Sequence, residues 1–532
     1  MSSIYGFFGG SHSASSSLII DSKIKYCIEE ERMTREKAGD VPESWPEYSY
    51  QKIKELTGLS TLDVDHCVFV KPIADSWTRR FTGRHYDVVS HHVAHNYGAY
   101  FTSGMEGKVL SISYDGGGEE SIMRVFTCEG SRMDQVLKLD LSTHGSLSHL
   151  WGFSTMGMMG YNEWWAGHWK ICKDEGKLMG MAPEGEYDEK LYRYFKSLIK
   201  YNKFNFYPSK TDIKTKLLVD SLQLTGFFNL QENREKFSYN LQLYTNELMV
   251  EFFNDLHEEF PEYKKIVVSG GLFANVKMNQ KLNELPWLKE LYVYPPMGDE
   301  GLTLGACLWK AVKLGEISKP LKLSNVSLGP SYTEDQIDEF YHKGKYDFIR
   351  KEYSSLEIAN DLNDGSIIGW FQEGMEYGPR SLGNRSILVR PTDYETHSNL
   401  NSRLGRYDTM PFAPMVLDDY FDDLFTSSKS KYSAQFMTIC YTTKENWIEK
   451  IPAVIQKSDK TARPQIINAD NNPLINDLMT NYLQISGIPV LLNTSFNVHG
   501  EPIIENPIHA FKHLKNNIID KLVIGKYVYQ NK

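Results

Sequence analysis

The chain has 532 residues, of which 41% are hydrophobic and 24% are charged, so it is neither a fibrous nor a wholly disordered protein. At ~150 residues per domain, this length predicts three to four domain-sized pieces or two large ones. The 68 acidic and 58 basic side chains give a formal net charge of −10. This balance disfavours nonspecific binding to DNA or RNA, because such binding relies on a basic surface. Nucleotides and small anions need only a few well-placed cations and are not excluded.

Cysteine spacing and hydropathy indicate a cytoplasmic protein. The six cysteines are scattered and include no CxxC pair, which excludes a zinc ribbon and a disulfide framework and suits a reducing compartment. The first residues lack a charged segment followed by an apolar run, so no secretory signal is predicted. No stretch reaches the ~18 apolar residues that a membrane span requires. We therefore expect a soluble cytoplasmic protein.

Predicted strands and helices alternate along the first part of the chain. Predicted strands lie at 4–8, 17–20, 25–31, 66–70, 108–120, 122–128, 264–271 and 291–296. Predicted helices lie near 48–59 and at 93–101, and one follows each of the last two strands. Two distant sets of strand, glycine turn and helix indicate two α/β lobes that face a cleft.

The segment 315–345 is rich in Pro, Ser and charge and makes the best domain boundary. The pattern restarts with the predicted strand IIGWF at 367–371, so we expect domains at 1–345 and 346–532, the second also α/β. The last residues, 512–532, hold five lysines against one aspartate. That charge pattern predicts a solvated surface.

A histidine pair and two aspartates are candidate metal ligands. His91 and His95, in the sequence HHVAH, lie four apart and would project from one face of a helix. Asp115 and Asp299 are flanked by glycines and follow strands, where α/β sheets place ligands. Two imidazoles and two carboxylates suit Fe(II), Mn(II) or Zn better than an all-oxygen Mg site. The alternatives are a polar helix face for the histidines and turn or N-cap roles for the aspartates.

Three glycine turns would let backbone N–H groups approach phosphate oxygens closely. One such turn alone is commonly only a tight turn, whereas three together favour an ATP-binding cleft of the actin and sugar-kinase kind. The turns are Gly9-Gly10, Gly116-Gly117-Gly118 and Gly270-Gly271.

His12 and Lys37 are candidate catalytic residues near the start of the chain. His12 follows the first glycine turn, and Lys37 follows the acidic EEER sequence. A histidine can act as the general base on a hydroxyl, and a lysine can neutralise an acyl phosphate or an adenylate. The alternative for both is an ordinary surface role.

The second domain contains arginines that are typical of an anion site. Arg380 and Arg385 stand among glycines, Arg463 lies in TARPQ, and Asn493 lies in LLNTSFNVHGEP. Planar guanidinium groups bind phosphate through two parallel hydrogen bonds. A solvated face is the alternative, but these arginines alternate with Gly, Ser and Pro rather than Glu, which favours an anion pocket.

The aromatic segment YNEWWAGHWK at 161–170 has two interpretations. Aromatic side chains dominate protein cores, so packing is the default explanation. The second interpretation is that the segment lines a pocket for an acceptor substrate.

Eight motifs stand in the order found in one known family. They are HHVAHNYGAYF, SYDGGGEE, EGKLMGMAPEG, VVSGGLFANVKMN, GDEGLTLGA, GMEYGPRSLGNRSIL, TARPQ and LLNTSFNVHGEP. Through them the whole chain resembles the ATP-dependent O-carbamoyltransferases of the NodU/CmcH type.

This resemblance implies an α/β fold with two domains. The first, 1–345, would be an actin-like (ASKHA) duplicated domain that binds a metal, usually iron, and transfers the carbamoyl group. The second, 346–532, would be a YrdC-like α/β domain that forms carbamoyl-adenylate from carbamoyl phosphate and ATP, the latter with Mg as co-substrate. The acceptor would be a hydroxyl of a small molecule, sugar or nucleotide, with no membrane partner.

The motifs also carry individual roles onto this sequence. His91, His95, Asp115 and Asp299 match the family's metal ligands. His12 and Lys37 match its catalytic pair, although Ser13 stands where the family often has an acidic residue. Gly270, Gly271 and Asn275 match an adenosine-binding turn. The anion-binding residues matched in the second domain are Arg380, Arg463, Arg385 and Asn493.

Three other functions compete with this interpretation. An actin-like kinase or ATPase would release ADP, yet it needs neither the histidine pair nor a second domain rich in arginine. A threonylcarbamoyl-type tRNA-modifying enzyme is disfavoured by the net negative charge and by the domain order. A non-catalytic assembly protein with an actin-like core would not depend on His91 and His95.

Overall fold

The computed structural model describes residues 2–9, 13–37, 45–72, 85–160, 174–208, 211–405 and 412–532. His12 and the aromatic segment at 161–170 lie outside the described residues. The chain forms two compact units, the first comprising Met1–Glu30 and Ala38–Leu323 and the second comprising Glu31–Lys37 and Ser324–Lys532. Among the described residues, no helix combines the length and the apolar character that crossing a membrane demands.

The boundary between the units falls at 323/324, earlier than the 345/346 expected from composition. Backbone hydrogen bonds explain the difference. The Gly329 N–H donates to the Met375 carbonyl, and the Tyr377 N–H donates to the Val326 carbonyl. The segment that looked like a linker is therefore bonded into the second unit.

The first unit contains strands β1–β12 and most of its described length is regular structure. Its strands are β1 Ser3–Phe8, β2 Ser15–Ile20, β3 Lys23–Glu29, β4 His66–Val70, β5 Asp87–Val89, β6 Val109–Gly118, β7 Ser121–Glu129, β8 Arg132–Asp140, β9 Lys200–Asn202, β10 Asn205–Tyr207, β11 Lys265–Ser269 and β12 Glu290–Val293. Its helices are α1 Glu30–Thr34, which continues into the second unit, α2 Glu47–Thr57, α3 His91–Thr102, α4 Leu147–Met158, α5 Glu175–Met181, α6 Glu189–Leu198, α7 Thr211–Leu224, α8 Gln231–Glu259, α9 Val276–Asn283 and α10 Leu302–Lys313.

Two five-stranded sheets in the first unit share one topology. Their strand orders are β3-β2-β1-β4-β5 and β8-β7-β6-β11-β12. Counted in chain order, the first three strands of each sheet form an antiparallel meander (β1–β3 and β6–β8). The fourth strand (β4 or β11) pairs parallel with the first, and the fifth (β5 or β12) pairs parallel with the fourth. The sequence predicted two sets of strand, glycine turn and helix, and each of the last two predicted strands lies in the second of these sheets.

Helices α3 and α10 pack against each other and against the sheets, with α10 on β1 and α3 on β6 and β11. Glycines allow the close approach. A Cβ on Gly305 would lie 2.0 Å from the Ala94 carbonyl oxygen, and one on Gly6 would lie 2.2 Å from the Thr303 carbonyl oxygen. This tight packing fixes α3, which carries both candidate histidine ligands.

The second unit is built on one eight-stranded sheet of order β13-β22-β21-β14-β15-β20-β16-β19. Its strands are β13 Ile349–Glu352, β14 Ile368–Phe371, β15 Arg385–Val389, β16 Ala413–Leu417, β17 Tyr441–Thr442, β18 Thr461–Ala462, β19 Gln465–Ile467, β20 Val490–Ser495, β21 Lys521–Ile524 and β22 Tyr527–Gln530. Its helices are α11 Glu334–Lys343, α12 Ser355–Asn363, α13 Tyr394–Arg403, α14 Phe421–Leu424, α15 Lys431–Ala434, α16 Glu445–Ile448, α17 Pro473–Ser486 and α18 Pro507–Lys515.

The prediction of a solvated surface at 512–532 is wrong. Leu522, Val523 and Ile524 are fully buried in β21, which pairs parallel with β14 near the middle of the sheet. The lysines lie at the ends of these strands and on α18, so the short apolar runs between them form core strands.

Candidate functional site

Four side chains of the first unit converge on one point. His91, His95, Asp115 and Asp299 each offer a ligand atom, and these atoms all lie within 4.8 Å of one another. The His91 Nε2 atom is 3.3 Å from Asp299 Oδ1, and the His95 Nε2 atom is 3.3 Å from Asp115 Oδ2. Both histidines come from α3, Asp115 comes from β6, and Asp299 begins the 3-10 turn Asp299–Gly301 that leads into α10. The four residues predicted from the sequence are thus brought together.

A hydrogen bond on the side away from the cluster orients the ring of His95. Its Nδ1 atom lies 2.9 Å from the hydroxyl of Ser269, the last residue of β11. Its Nε2 atom, on the opposite side, faces Asp115 and Asp299 at 3.3 and 3.5 Å. A metal-binding histidine generally needs such a partner for its other nitrogen.

His91 is held by packing. Its ring makes an edge contact with Phe8 and lies 4.8 Å from the His95 ring, measured between centroids. A Cβ added to Gly118 would lie 2.3 Å from His91 Cγ, so only glycine leaves room for the imidazole at this position. Neither ring nitrogen of His91 makes a hydrogen bond to a described residue.

Glycines around Asp115 serve that carboxylate. The Gly116 and Gly271 N–H groups donate to its two oxygens, and the Gly270 N–H donates to the Met297 carbonyl. A Cβ on Gly270 would lie 2.2 Å from the Tyr114 carbonyl oxygen, and its φ of +103° also favours glycine. These glycines therefore help to shape the four-residue cluster, and the phosphate-contact role expected for Gly116, Gly270 and Gly271 stays a prediction. Gly117, with φ near +158°, lies beside Gly116 in β6.

The third histidine of the HHVAH sequence points elsewhere. His92 Nε2 lies 2.8 Å from the Ser121 carbonyl oxygen and Nδ1 lies 2.9 Å from the Ser113 hydroxyl, which also accepts a hydrogen bond from Asn96. The Ser113 hydroxyl is then the donor to Nδ1, and Nε2 carries the imidazole proton. Burial lowers the pKa of His92 to about 3. His92 is a neutral core residue and no part of the cluster.

The four-residue cluster fits a divalent cation. The Nε2 atoms of His91 and His95 are buried and make no hydrogen bond to a described residue, while two carboxylates face them. Burial opposes and the carboxylates Asp115 and Asp299 favour a positive charge on His95, whose net pKa is about 9. The site thus favours a positive charge at its centre. Mixed imidazole and carboxylate donors suit Fe(II), Mn(II) or Zn.

Asn275 has a structural role that the sequence did not indicate. Its Oδ1 atom accepts the Met278 N–H and so caps α9, while its Nδ2 donates to Gln242 on α8 at 3.0 Å. Both ends of the amide are engaged within the protein. An adenosine-binding role for Asn275 stays a prediction.

In the second unit, the residues predicted to bind anions lie around one turn, the segment 376–385. Next to Arg380, the Ser381 carbonyl accepts a hydrogen bond from Asn493, and the Leu382 carbonyl accepts one from Gln465, two residues after Arg463. Asn493 also donates to Gln465 at 2.9 Å. The backbone beside Arg380 is thereby joined to the strands that carry Asn493 and follow Arg463. The Nε atom of Arg463 is buried and makes no hydrogen bond to a described residue, and burial lowers the pKa of this guanidinium.

Arg385, also expected to bind an anion, makes its hydrogen bonds within the protein. It is fully buried, and its guanidinium donates to backbone carbonyls, among them those of Gln372 at 2.6 Å and Pro330 at 3.0 Å. Its guanidinium carbon also lies 3.6 Å from the centre of the Phe371 ring. So enclosed, Arg385 has a structural role in this turn, and an anion-binding role for it stays a prediction.

The predicted catalytic pair is only partly described. Lys37 belongs to the short segment Glu31–Lys37 of the second unit and is half-buried. His12 lies outside the described residues. Their joint role stays a prediction.

Sequence reasoning missed several residues that shape these sites. Ser269 lies in VVSGGLFANVKMN, Glu376 in GMEYGPRSLGNRSIL and Gln465 in TARPQ, but only the fold shows which groups their side chains contact. Ser269 and Gln465 stand within two positions of Gly270 and Arg463, and Glu376 stands four positions before Arg380, so the motifs themselves point to these residues.

Sequence comparisons place both units in one family. The model described as "Carbamoyltransferase N-terminus" matches residues 78–308, and the one described as "Carbamoyltransferase C-terminus" matches residues 359–531. Two uncharacterized proteins of Methanocaldococcus jannaschii are similar: one is 33% identical over 68% of this chain and 59% of its own length, the other 31% identical over 97% and 98%. Nodulation protein NolNO of Sinorhizobium fredii is 25% identical over 98% of this chain and 79% of its own length.

The fold and the site define a mixed α/β protein with a buried His/Asp cluster in one unit and an arginine-bearing turn in the other. The chain belongs to the carbamoyltransferase family, of which nodulation proteins NolNO, NolO and NodU are members. The family supports carbamoyl transfer as the activity.

Proposed function

We propose that this protein is an O-carbamoyltransferase that makes carbamoyl-adenylate from ATP and carbamoyl phosphate and transfers the carbamoyl group to a hydroxyl. The observation that carries the proposal is the convergence of His91, His95, Asp115 and Asp299 within 4.8 Å, in the unit that the N-terminal family model matches. A kinase or ATPase of actin-like fold has no need for such a donor set.

The repeated sheet topology of the first unit supports an actin-like, duplicated domain. The second unit would be the YrdC-like domain implied by the resemblance, with a boundary near 323/324. Under this proposal the first unit performs transfer and the second forms the adenylate.

Adenylate formation proceeds through two reactions. Water cleaves carbamoyl phosphate to carbamate and phosphate, and a carbamate oxygen then attacks the α-phosphorus of ATP, so that pyrophosphate leaves. Both substrates are polyanions, and closely placed guanidinium groups lower the free energy of bringing them together. Arg380 and Arg463 would bind these anions in the second unit, with Asn493 beside them.

In the transfer step the acceptor oxygen attacks the carbamoyl carbon, and the bond from that carbon to the phosphate oxygen breaks to release AMP. His12 would accept the hydroxyl proton and Lys37 would offset the charge on the departing phosphate. His91, His95, Asp115 and Asp299 would hold a divalent cation, which supplies Lewis-acid stabilisation of negative charge. The buried position of these ligands limits water, which would otherwise hydrolyse the mixed anhydride.

The products distinguish this function from its rivals. Purified protein with ATP and carbamoyl phosphate should release pyrophosphate, and only when both are present. With a competent acceptor it should also release AMP and yield an acceptor heavier by one carbamoyl group, which mass spectrometry over pools of hydroxylated small molecules and nucleotides would reveal. Release of ADP, independent of carbamoyl phosphate, would reject the proposal in favour of a kinase or ATPase.

A further inference from the structure

The turn that carries Arg380 is closed by one buried carboxylate. Glu376 is 1% exposed, and its Oε1 atom accepts the N–H groups of Leu382, Asn384 and Arg385 at 2.7, 2.8 and 3.1 Å. Its Oε2 atom is buried and makes no hydrogen bond to a described residue. One oxygen thus gathers three donors from the far end of the turn.

A buried guanidinium holds the same turn from its other side. Arg385 donates to the carbonyls of Gln372, Glu373 and Pro330 at 2.6, 3.2 and 3.0 Å. Burial lowers the pKa of Arg385 to about 10, and the negative charge of Glu376 opposes that shift. The chain entering the turn and the chain leaving it are therefore fixed by two opposite buried charges.

A third buried charge reaches the turn from the segment Glu31–Lys37. Arg32 is 1% exposed, and its guanidinium donates to the Gly378 carbonyl at 2.7 Å. Gly378 has a φ of +111° and stands two residues before Arg380. Arg35 anchors the same segment by donating to the Pro502 and Ile503 carbonyls at 2.8 and 2.7 Å.

Burying charge is costly, and a turn does not need it. Taking an ionised group out of water costs several kcal/mol unless its partners compensate, and neutral serine, asparagine or backbone groups close most turns. Here three charged side chains are buried around one turn whose Arg380 is only half-buried. Preorganised electrostatic stabilisation requires a cation held rigidly in place, and the buried charges around Arg380 would provide that rigidity in spite of their desolvation cost.

We propose that Glu376 is a positioning residue that, together with Arg32 and Arg385, holds Arg380 where it meets an anionic substrate of the adenylate-forming step. The inference rests on the proposed function. Glu376 does not touch substrate: it fixes the backbone on which Arg380 stands. A misplacement of ~1 Å in such a group can lower the rate by about 100-fold.

The decisive test is a double-mutant cycle between Glu376→Gln and Arg380→Ala. The glutamine keeps an oxygen for the three N–H groups but removes the charge, so the protein should fold while the KM for carbamoyl phosphate or ATP in pyrophosphate release rises by about 10-fold. If Glu376 acts through Arg380, the double variant should match Arg380→Ala alone, because the loosened turn then carries no cation. Glu373→Gln is the matched control: its side chain is exposed three residues before Glu376, and the substitution removes the same charge.

The outcomes separate cleanly. Multiplicative losses in the double variant, or an unchanged KM in Glu376→Gln with an active unmodified enzyme, would overturn the positioning role and leave the proposed function standing. An equal rise in KM for Glu373→Gln would show a general charge effect and also overturn it. No pyrophosphate release from the unmodified enzyme would reject the proposed function and this inference together.

Discussion

Ser269 accepts a hydrogen bond from His95 Nδ1 at 2.9 Å and donates its own proton to the Met297 carbonyl at 3.3 Å. Because a hydroxyl has a single proton, this pair of contacts assigns the His95 proton to Nδ1. In the neutral ring, the form that binds a cation, the Nε2 lone pair is then directed at Asp115 and Asp299. The tautomer that a cation needs is set by a residue that would not bind the cation.

Replacing Ser269 with alanine should therefore weaken metal binding. We expect a 10- to 100-fold loss of affinity, about the range found for removal of a partner behind a metal-binding histidine. Titration against a competing chelator measures it. Ser154→Ala is the matched control, because the Ser154 hydroxyl is equally buried and makes no hydrogen bond to a described residue. Equal affinities for the Ser269 variant and the unmodified protein would contradict the assignment.

Gly118→Ala should displace His91. The added methyl group would lie 2.3 Å from His91 Cγ, and β6 leaves little room to yield. We expect less than stoichiometric metal in the purified variant, measured by elemental analysis. Gly152→Ala, where a Cβ would meet nothing within 4 Å, should keep full metal content. Full occupancy in Gly118→Ala would show that His91 is not needed for binding.

Metal addition should stabilise the first unit. A cation that binds only the folded state, at 100 times its Kd, raises the free energy of unfolding by about 2.7 kcal/mol. The unmodified protein should therefore melt at a higher temperature with Fe(II), Mn(II) or Zn than with chelator. Asp115→Asn should abolish the difference, because one carboxylate ligand is lost. A metal-dependent shift of the same size in this variant would place the cation elsewhere.

Arg385→Lys should destabilise the second unit. Lysine cannot replace a planar group that donates to several carbonyls, and each buried acceptor left unpaired costs about 1–3 kcal/mol. We expect a loss of roughly 3 kcal/mol or more, detected as faster hydrogen exchange in Arg385–Val389. Unchanged exchange together with a large loss of pyrophosphate release would instead support the anion-binding role first expected for this residue.

Acid should destabilise the second unit through His509. Burial, together with the positive charges of Arg35, Lys512 and His513, lowers the pKa of His509 to about 3 from its ordinary value of 6.5. Below pH 6.5 this histidine therefore binds a proton in the unfolded chain but not in the folded chain. The free energy of unfolding then falls by at most about 1.4 kcal/mol per pH unit from this group. Above that pH the effect vanishes.

Denaturant midpoints at pH ~7.5 and pH ~5, followed by hydrogen exchange in α18, would measure this dependence. His509→Gln should flatten it, whereas His342→Gln, on an exposed position of α11, should leave it unchanged. An identical pH dependence in all three proteins would exclude His509 as its source.

The convergence of the four candidate ligands was predictable from the sequence. His91 and His95 are four apart on a helix, and Asp115 stands near the end of strand β6, so local periodicity and the polarity of α/β sheets bring them together. Strand predictions such as IYGFF at 4–8 also agree closely with β1 at Ser3–Phe8. Local pattern suffices where a single element sets the position of a side chain.

The difference between Arg380 and Arg385 was not predictable in this way. Both stand among glycines in one motif, and a guanidinium binds backbone carbonyls and phosphate with the same donors. Only the fold shows that Arg385 is enclosed by Gln372, Glu373 and Pro330. The same reason hid the hydrogen bond from Asn275 to Gln242 and the one from Gly271 to Asp115, which join residues more than 30 positions apart in sequence.

The excursion of Glu31–Lys37 into the second unit bears on how the protein is made. On the ribosome this segment emerges long before the carbonyls of Gly378, Pro502 and Ile503 that receive Arg32 and Arg35 exist. Arg32 and Arg35 can form all of these hydrogen bonds only after Ile503 has been synthesised. If the gene were split at 323/324, the downstream product would lack the segment Glu31–Lys37. It should then need the upstream product, added as a separate chain, to fold fully.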